Sequence, residues 1–164
     1  MPMSEKDQWL QVRQMELPIT LRVLKAFPAD KLDYRPHPKS RSAKELAWVF
    51  VQEEGVLGMM IKGKVDFGAP SPPAPNSLAE ILATYEKVFK QNNDVVKGLS
   101  DSDLNASVDF PVGPGKMMAF RRMEAFWIPV MDAVHHRGQM SVYIRPAGGK
   151  VPSIYGPTAD ETWM

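Results

Sequence analysis

The chain has 164 residues, 44% hydrophobic and 24% charged, the balance of an ordinary globular domain rather than a disordered or fibrous chain. Twenty lysines and arginines against nineteen aspartates and glutamates leave a net charge of +1, so no overall field selects nucleic acid, and zero cysteines exclude a disulfide framework, a thiolate nucleophile and sulfur-based zinc sites. A single domain, 1–164, in a reducing, cytoplasmic setting is expected; the first residues lack the apolar core of a signal peptide, and no apolar run approaches the roughly 18 residues of a membrane span.

Prolines cluster at Pro28, Pro36 and Pro38, at Pro70, Pro72, Pro73 and Pro75, at Pro111 and Pro114, and at Pro146, Pro152 and Pro157. Proline lacks a backbone donor, so these clusters predict loops separating four long stretches. The first, about Glu5 to Phe27, carries Trp9, Leu10, Leu17, Leu21 and Leu24 at helical spacing, with a kink expected at Pro18. Ser42 and Glu45 form a capping-box pair ahead of a second, strongly apolar helix running to Ile61, and Ser77 with Glu80 repeats the signature ahead of a third, which Gly98 closes. A fourth helix is predicted from about Met118 to Ile144, with Phe120, Phe126, Val130 and Met140 spaced for burial and Pro129 to be accommodated. Met117, Met118, Met123 and Met131 read as flexible packing in a core and its approach. The only alternating patch, Ala106 to Val112, is limited by Pro111 and Pro114 to an edge or an irregular loop. The expected fold is therefore all-α, a four-helix bundle with long proline-rich loops.

Chemistry concentrates in the fourth helix, where Asp132 and His136 are i, i+4 neighbours on a stripe with Ile128 and Met140. A carboxylate and an imidazole projecting into a bundle interior are candidates for holding a divalent metal, or form a plain intrahelical hydrogen bond. His37, in a proline loop, receives no role. Arg137 points about 100° away from His136 and suits a structural ion pair. No phosphate-binding glycine motif, zinc-protease helix or nucleophile elbow is present.

The run His135-His136-Arg137-Gly138-Gln139-Met140-Ser141-Val142-Tyr143-Ile144-Arg145, followed by Gly148-Gly149-Lys150-Val151-Pro152-Ser153-Ile154-Tyr155-Gly156-Pro157, resembles the DinB-like superfamily, and Arg41 to Trp48 is similar to the segment opening its second helix. The resemblance implies a four-helix bundle of the DinB/YfiT type, frequent homodimers, and in many members a divalent metal on three histidines, one from helix two and two from helix four. Carried onto this chain, the helix-four ligands fall on Asp132 and His136, whereas the helix-two ligand falls on Val49, which cannot bind a metal. Gln52 and Glu53 lie one turn on, and Glu53 is the better substitute for a zinc or nickel ion. The resemblance thus implies a degenerate metal site, with Asp132, His136 and Glu53 as the candidate ligands. Two readings follow. One is a metal-free module that binds a small molecule or acts through dimerisation. The other is a metal-dependent enzyme resembling the thiol-dependent transferases and isomerases of the superfamily. The closing tail should pack back on the bundle through Ile154 and Tyr155.

Overall fold

Serine hydroxyls start the helices. In the computed structural model, which describes residues 2–68 and 71–162, α1 spans Glu5–Lys25 and begins where Ser4 Oγ accepts the Asp7 amide at 3.1 Å. It runs unbroken through Pro18, whose exposed ring supplies no donor to the Gln14 carbonyl. A short 3-10 turn at Ala29–Lys31 leads to α2, Ala43–Ile61. Its capping box is complete: Ser42 Oγ accepts from the Glu45 amide at 3.2 Å, and the Glu45 carboxylate accepts from the Ser42 amide at 2.7 Å. At α3, Leu78–Gly98, only the first half of the expected box forms, with Ser77 Oγ accepting from the Glu80 amide at 3.4 Å. Pro72, Pro73 and Pro75 lie in the irregular segment before it; Pro70 falls outside the described residues.

The all-α expectation is corrected after α3. A single-turn helix, α4 at Asp101–Asn105, leads into an antiparallel hairpin of β1, Ser107–Gly113, and β2, Lys116–Arg121. The reversal at Pro114-Gly115 pairs a proline with a glycine at φ +66°, the residues a type II turn demands. Pro111 therefore lies inside an edge strand, one of the two placements expected for it, and the register shifts between it and Gly113. A two-stranded sheet tolerates it, because each strand keeps one edge free of ladder bonds. Met117 and Met118 sit exposed on β2, and Met131 is exposed as well, so of the four methionines expected near the core only Met123 is buried.

The predicted fourth helix is likewise corrected. Met118–Arg121 is strand, α5 occupies only Arg122–Ala125, the helix breaks at Phe126, and α6 runs Trp127–Ile144. Pro129 is the cause, having no N–H for the Ala125 carbonyl. The break places it in the first turn of α6, where amides need no helical partner. At the break the Phe126 carbonyl accepts from Trp9 Nε1 at 3.1 Å.

The four long helices pack in a ring: α1 on α3, α3 on α2, α2 on α6, and α6 on α1. One core cluster gathers Leu24, Phe50, Ile81, Tyr85, Met140 and Ile144; a second, toward the hairpin, gathers Trp9, Leu57, Met60, Val96 and Phe126. The tail then folds back. A Cβ at Gly149 would stand 2.6 Å from the Ala26 carbonyl oxygen and 2.8 Å from Ile144 Cγ2, so only glycine lets the chain pass. Val151, Pro152 and Ser153 are buried, and Ile154 packs on the first cluster. Arg137, 2% exposed, donates to Glu16 at 2.5 Å, to Thr20 Oγ1 at 3.1 Å and to the Tyr155 hydroxyl, as its expected structural role requires. Among the described residues no helix is long and apolar enough to cross a membrane.

Candidate functional site

Asp132 and His136 stand one turn apart on α6, with Asp132 Oδ2 3.1 Å from His136 Nε2. The imidazole is buried and the carboxylate half-exposed. His136 Nδ1 meets Gln139 Oε1 at 2.9 Å, and Gln139 Nε2 meets His135 Nε2 at 2.9 Å. Both nitrogens of His136 are thus engaged, and a chain of contacts fixes the Asp132 carboxylate from below.

Glu53 faces this pair from α2. Burial above all, then a hydrogen bond with Asp132 and the charges of Asp132 and Glu54, push its carboxyl up to about 8, against the opposing pull of Arg41. Near neutral pH Glu53 therefore keeps its proton beside Asp132, because burial and a neighbouring carboxyl both disfavour its charge. The substitution of neighbours predicted from sequence is half realised. Glu53 and Asp132 meet, as do Asp132 and His136, whereas Gln52 turns away to donate to Ser71 Oγ at 3.1 Å. Val49 is 4% exposed and contributes hydrocarbon to the interior. Among the described residues no three His, Cys, Asp or Glu side chains stand close enough together to share a metal ion. Val49 offers no donor at the helix-two position, and both His136 nitrogens have protein partners.

Glu53 and Asp132 line a cleft of about 630 Å³. His135 is its third polar residue, and Val56, Phe67, Phe110, Trp127, Ile128 and Met131 complete the lining. The hairpin supplies Phe110, which Phe67 meets edge-on at 5.8 Å between ring centroids. A volume of this size, mostly apolar with a few converging polar groups, is that of a small-molecule site.

Sequence reasoning missed a second polar cluster next door. Glu54 is 4% exposed and binds Arg13 through both oxygens, at 2.9 and 2.8 Å. Asn93 Oδ1 accepts from Arg13 Nε at 2.7 Å, and Asn92 Nδ2 donates to Glu54 at 2.8 Å. The guanidinium lies 4.1 Å from the Phe89 ring centre and 4.8 Å from that of Trp9. The signal was present: Arg13 follows Trp9 by four positions on a stripe that continues through Thr20 and Leu24, so a charge sat where an apolar residue was due.

Residues 1–163 match the model of the DinB family, and the chain belongs to that family. A Bacillus subtilis (strain 168) protein, described as uncharacterized protein YrdA, is 28% identical over 161 residues, covering 94% of this chain and 90% of its own. A DinB-like protein from Bacillus cereus ATCC 10987 superposes with a TM-score of 0.75 at 26% identity, covering 90% of this chain and 95% of that one. YfiT from Bacillus subtilis, described as a probable metal-dependent hydrolase with an unusual four-helix bundle topology, gives a TM-score of 0.65 at 12% identity over 88% of this chain and 89% of that one, a likeness of fold alone.

Proposed function

We propose that this chain is a DinB-family protein with a degenerate metal site, whose cleft between α2, α6 and the hairpin binds a small, largely apolar molecule. The observation that carries the reading is the cleft of about 630 Å³ itself, with six apolar side chains around one polar wall, while Val49 takes the place of a helix-two ligand. A molecule seated there would stabilise the folded state by mass action. Thermal-shift measurements with apolar fragments test it. Stabilisation is expected in the wild type and should vanish in Ile128→Trp, which fills the cleft; stabilisation that survives in Ile128→Trp would place the binding elsewhere.

The approach of Glu53 to Asp132 favours a second reading, a metal-dependent enzyme with Asp132, His136 and Glu53 around zinc or nickel. Ligands this sparse leave most of the coordination shell to water, so binding should be weak and should fail as the donors protonate. Metal analysis of protein purified without a histidine tag decides. Stoichiometric metal that is lost in Glu53→Ala would establish this reading, whereas a metal-free wild type that gains tight divalent binding from Val49→His marks the degenerate site. A homodimer belongs to the proposal, supported by Val142, exposed on α6. Light scattering that gives a monomer mass over a wide concentration range would remove it.

A further inference from the structure

The walls of the cleft narrow what it can hold. Its lining contains two carboxyl groups and one imidazole but neither lysine nor arginine. An anion would meet a carboxylate with no partner for its own charge. A neutral hydrocarbon would cover Asp132 and strip its water without replacing the lost hydrogen bonds. Three aromatic rings, Phe67, Phe110 and Trp127, line the same cleft as the carboxyls. Phe67 is 54% exposed although Phe110 braces it edge-on, leaving much of its surface without a protein partner. Aromatic faces attract cations through the ring quadrupole, most strongly where water is excluded. Asp132 is also held in place: His136 contacts its Oδ2 at 3.1 Å, and Glu53 approaches from α2. A space of about 630 Å³ is far larger than a bare ion needs, and among the described residues no three metal donors stand in reach of one another.

Deepening the small-molecule reading, on which it rests, we infer that the cleft takes an organic monocation, an amine or ammonium with an aromatic or aliphatic body, its charged end at Asp132 and Glu53 and its body against Phe67, Phe110 and Trp127. The ammonium hydrogens would use lone pairs of the Asp132 carboxylate that His136 and Glu53 leave free.

Calorimetric titration of the full chain with three isosteric probes tests this: 4-phenylbutylammonium, 4-phenylbutanol and 4-phenylbutyrate. The ammonium should bind at least tenfold more tightly than the alcohol, and the carboxylate should not bind detectably. Asp132→Asn should lower ammonium affinity about tenfold and leave the alcohol unchanged. Met131→Lys places a like charge at an exposed lining position with no core to disturb, and should weaken the ammonium by a similar factor. Equal binding of ammonium and alcohol, both lost in Ile128→Trp, would overturn the cation and leave the small-molecule cleft standing. Binding of none of the three would overturn both. Zinc that displaces the ammonium with a one-to-one stoichiometry would replace the organic cation by a metal.

Discussion

Glu53 and Glu54 are neighbours on α2, yet they meet opposite fates. Glu54 turns into the closed side of the bundle, where Arg13 takes both of its oxygens and Asn92 takes one again, so its charge has an opposite partner. Glu53, about 100° around the helix, turns to the open side, where its nearest partner is another acid and its proton does the neutralising. The difference separates two ways of keeping a carboxyl inside a protein. A paired charge locks helices together and has nothing left to offer a ligand. A carboxyl held by a shared proton beside a cleft remains free to exchange that proton for a different cation.

The largest effect should come from opening the closed pair. Arg13→Met leaves Glu54 buried and unpaired and is expected to cost about 3–5 kcal/mol in urea unfolding, and removing both charges with Arg13→Met and Glu54→Leu should recover at least half of it. A cost below about 1 kcal/mol for the single change would mean that water reaches Glu54 and that the two sides are alike. Arg137, the second buried arginine, extends the contrast to the tail. Arg137→Met, which removes the bonds to Glu16, Thr20 and Tyr155, is expected to cost roughly 2–3 kcal/mol. The cost is smaller than for Arg13 because Glu16 retains the Tyr155 hydroxyl, which donates to it at 2.8 Å.

On the open side the sign reverses. The Glu53 carboxyl, normally near 4.5, is raised to about 8 in the folded chain by burial, by Asp132 and by the charge of Glu54, with Arg41 opposing. Between those values the unfolded chain binds fewer protons than the folded one, so stability falls as pH rises from about 4.5 to about 8 and then levels. Glu53→Gln keeps a donor for Asp132 without an acid to ionise. It should flatten this decline and stabilise the protein by on the order of 1 kcal/mol at pH 8.5, with little change at pH 4.5. Denaturation midpoints at the two pH values check it, and a Glu53→Gln protein less stable at pH 8.5 would show that Glu53 is paired like Glu54. The smallest effect belongs to Asp132→Asn, which removes the facing charge but not the burial. It should shallow the same pH decline without abolishing it, since burial is the leading cause of the Glu53 shift.

Much of the scaffold was legible in the sequence. The caps at Ser42 and Ser77, the apolar periodicity of α1 to α3 and the i, i+4 placement of Asp132 and His136 are interactions within one turn, and they formed. The hairpin was half legible: the alternating patch Ala106 to Val112 allowed an edge strand and became β1, whereas β2 was absorbed into the predicted fourth helix until Gly115 is seen to close a turn between two strands. The break at Phe126 was half legible: Pro129 announced a difficulty but not that the chain would resolve it by ending one helix and starting another.

The sequence by itself determined the helices α1 to α3, where each of them begins, and that residue 49 offers no metal donor, since these depend on neighbours along the chain and on side-chain chemistry. Only the tertiary structure decided that Glu54 would face Arg13, 41 positions away, and that Glu53 would face Asp132 beside a cleft walled by Phe67 and Phe110. Those partners are chosen by how far each helix is rotated about its axis and how deeply it docks, and a rotation of one residue, about 100°, exchanges a closed ion pair for an open site.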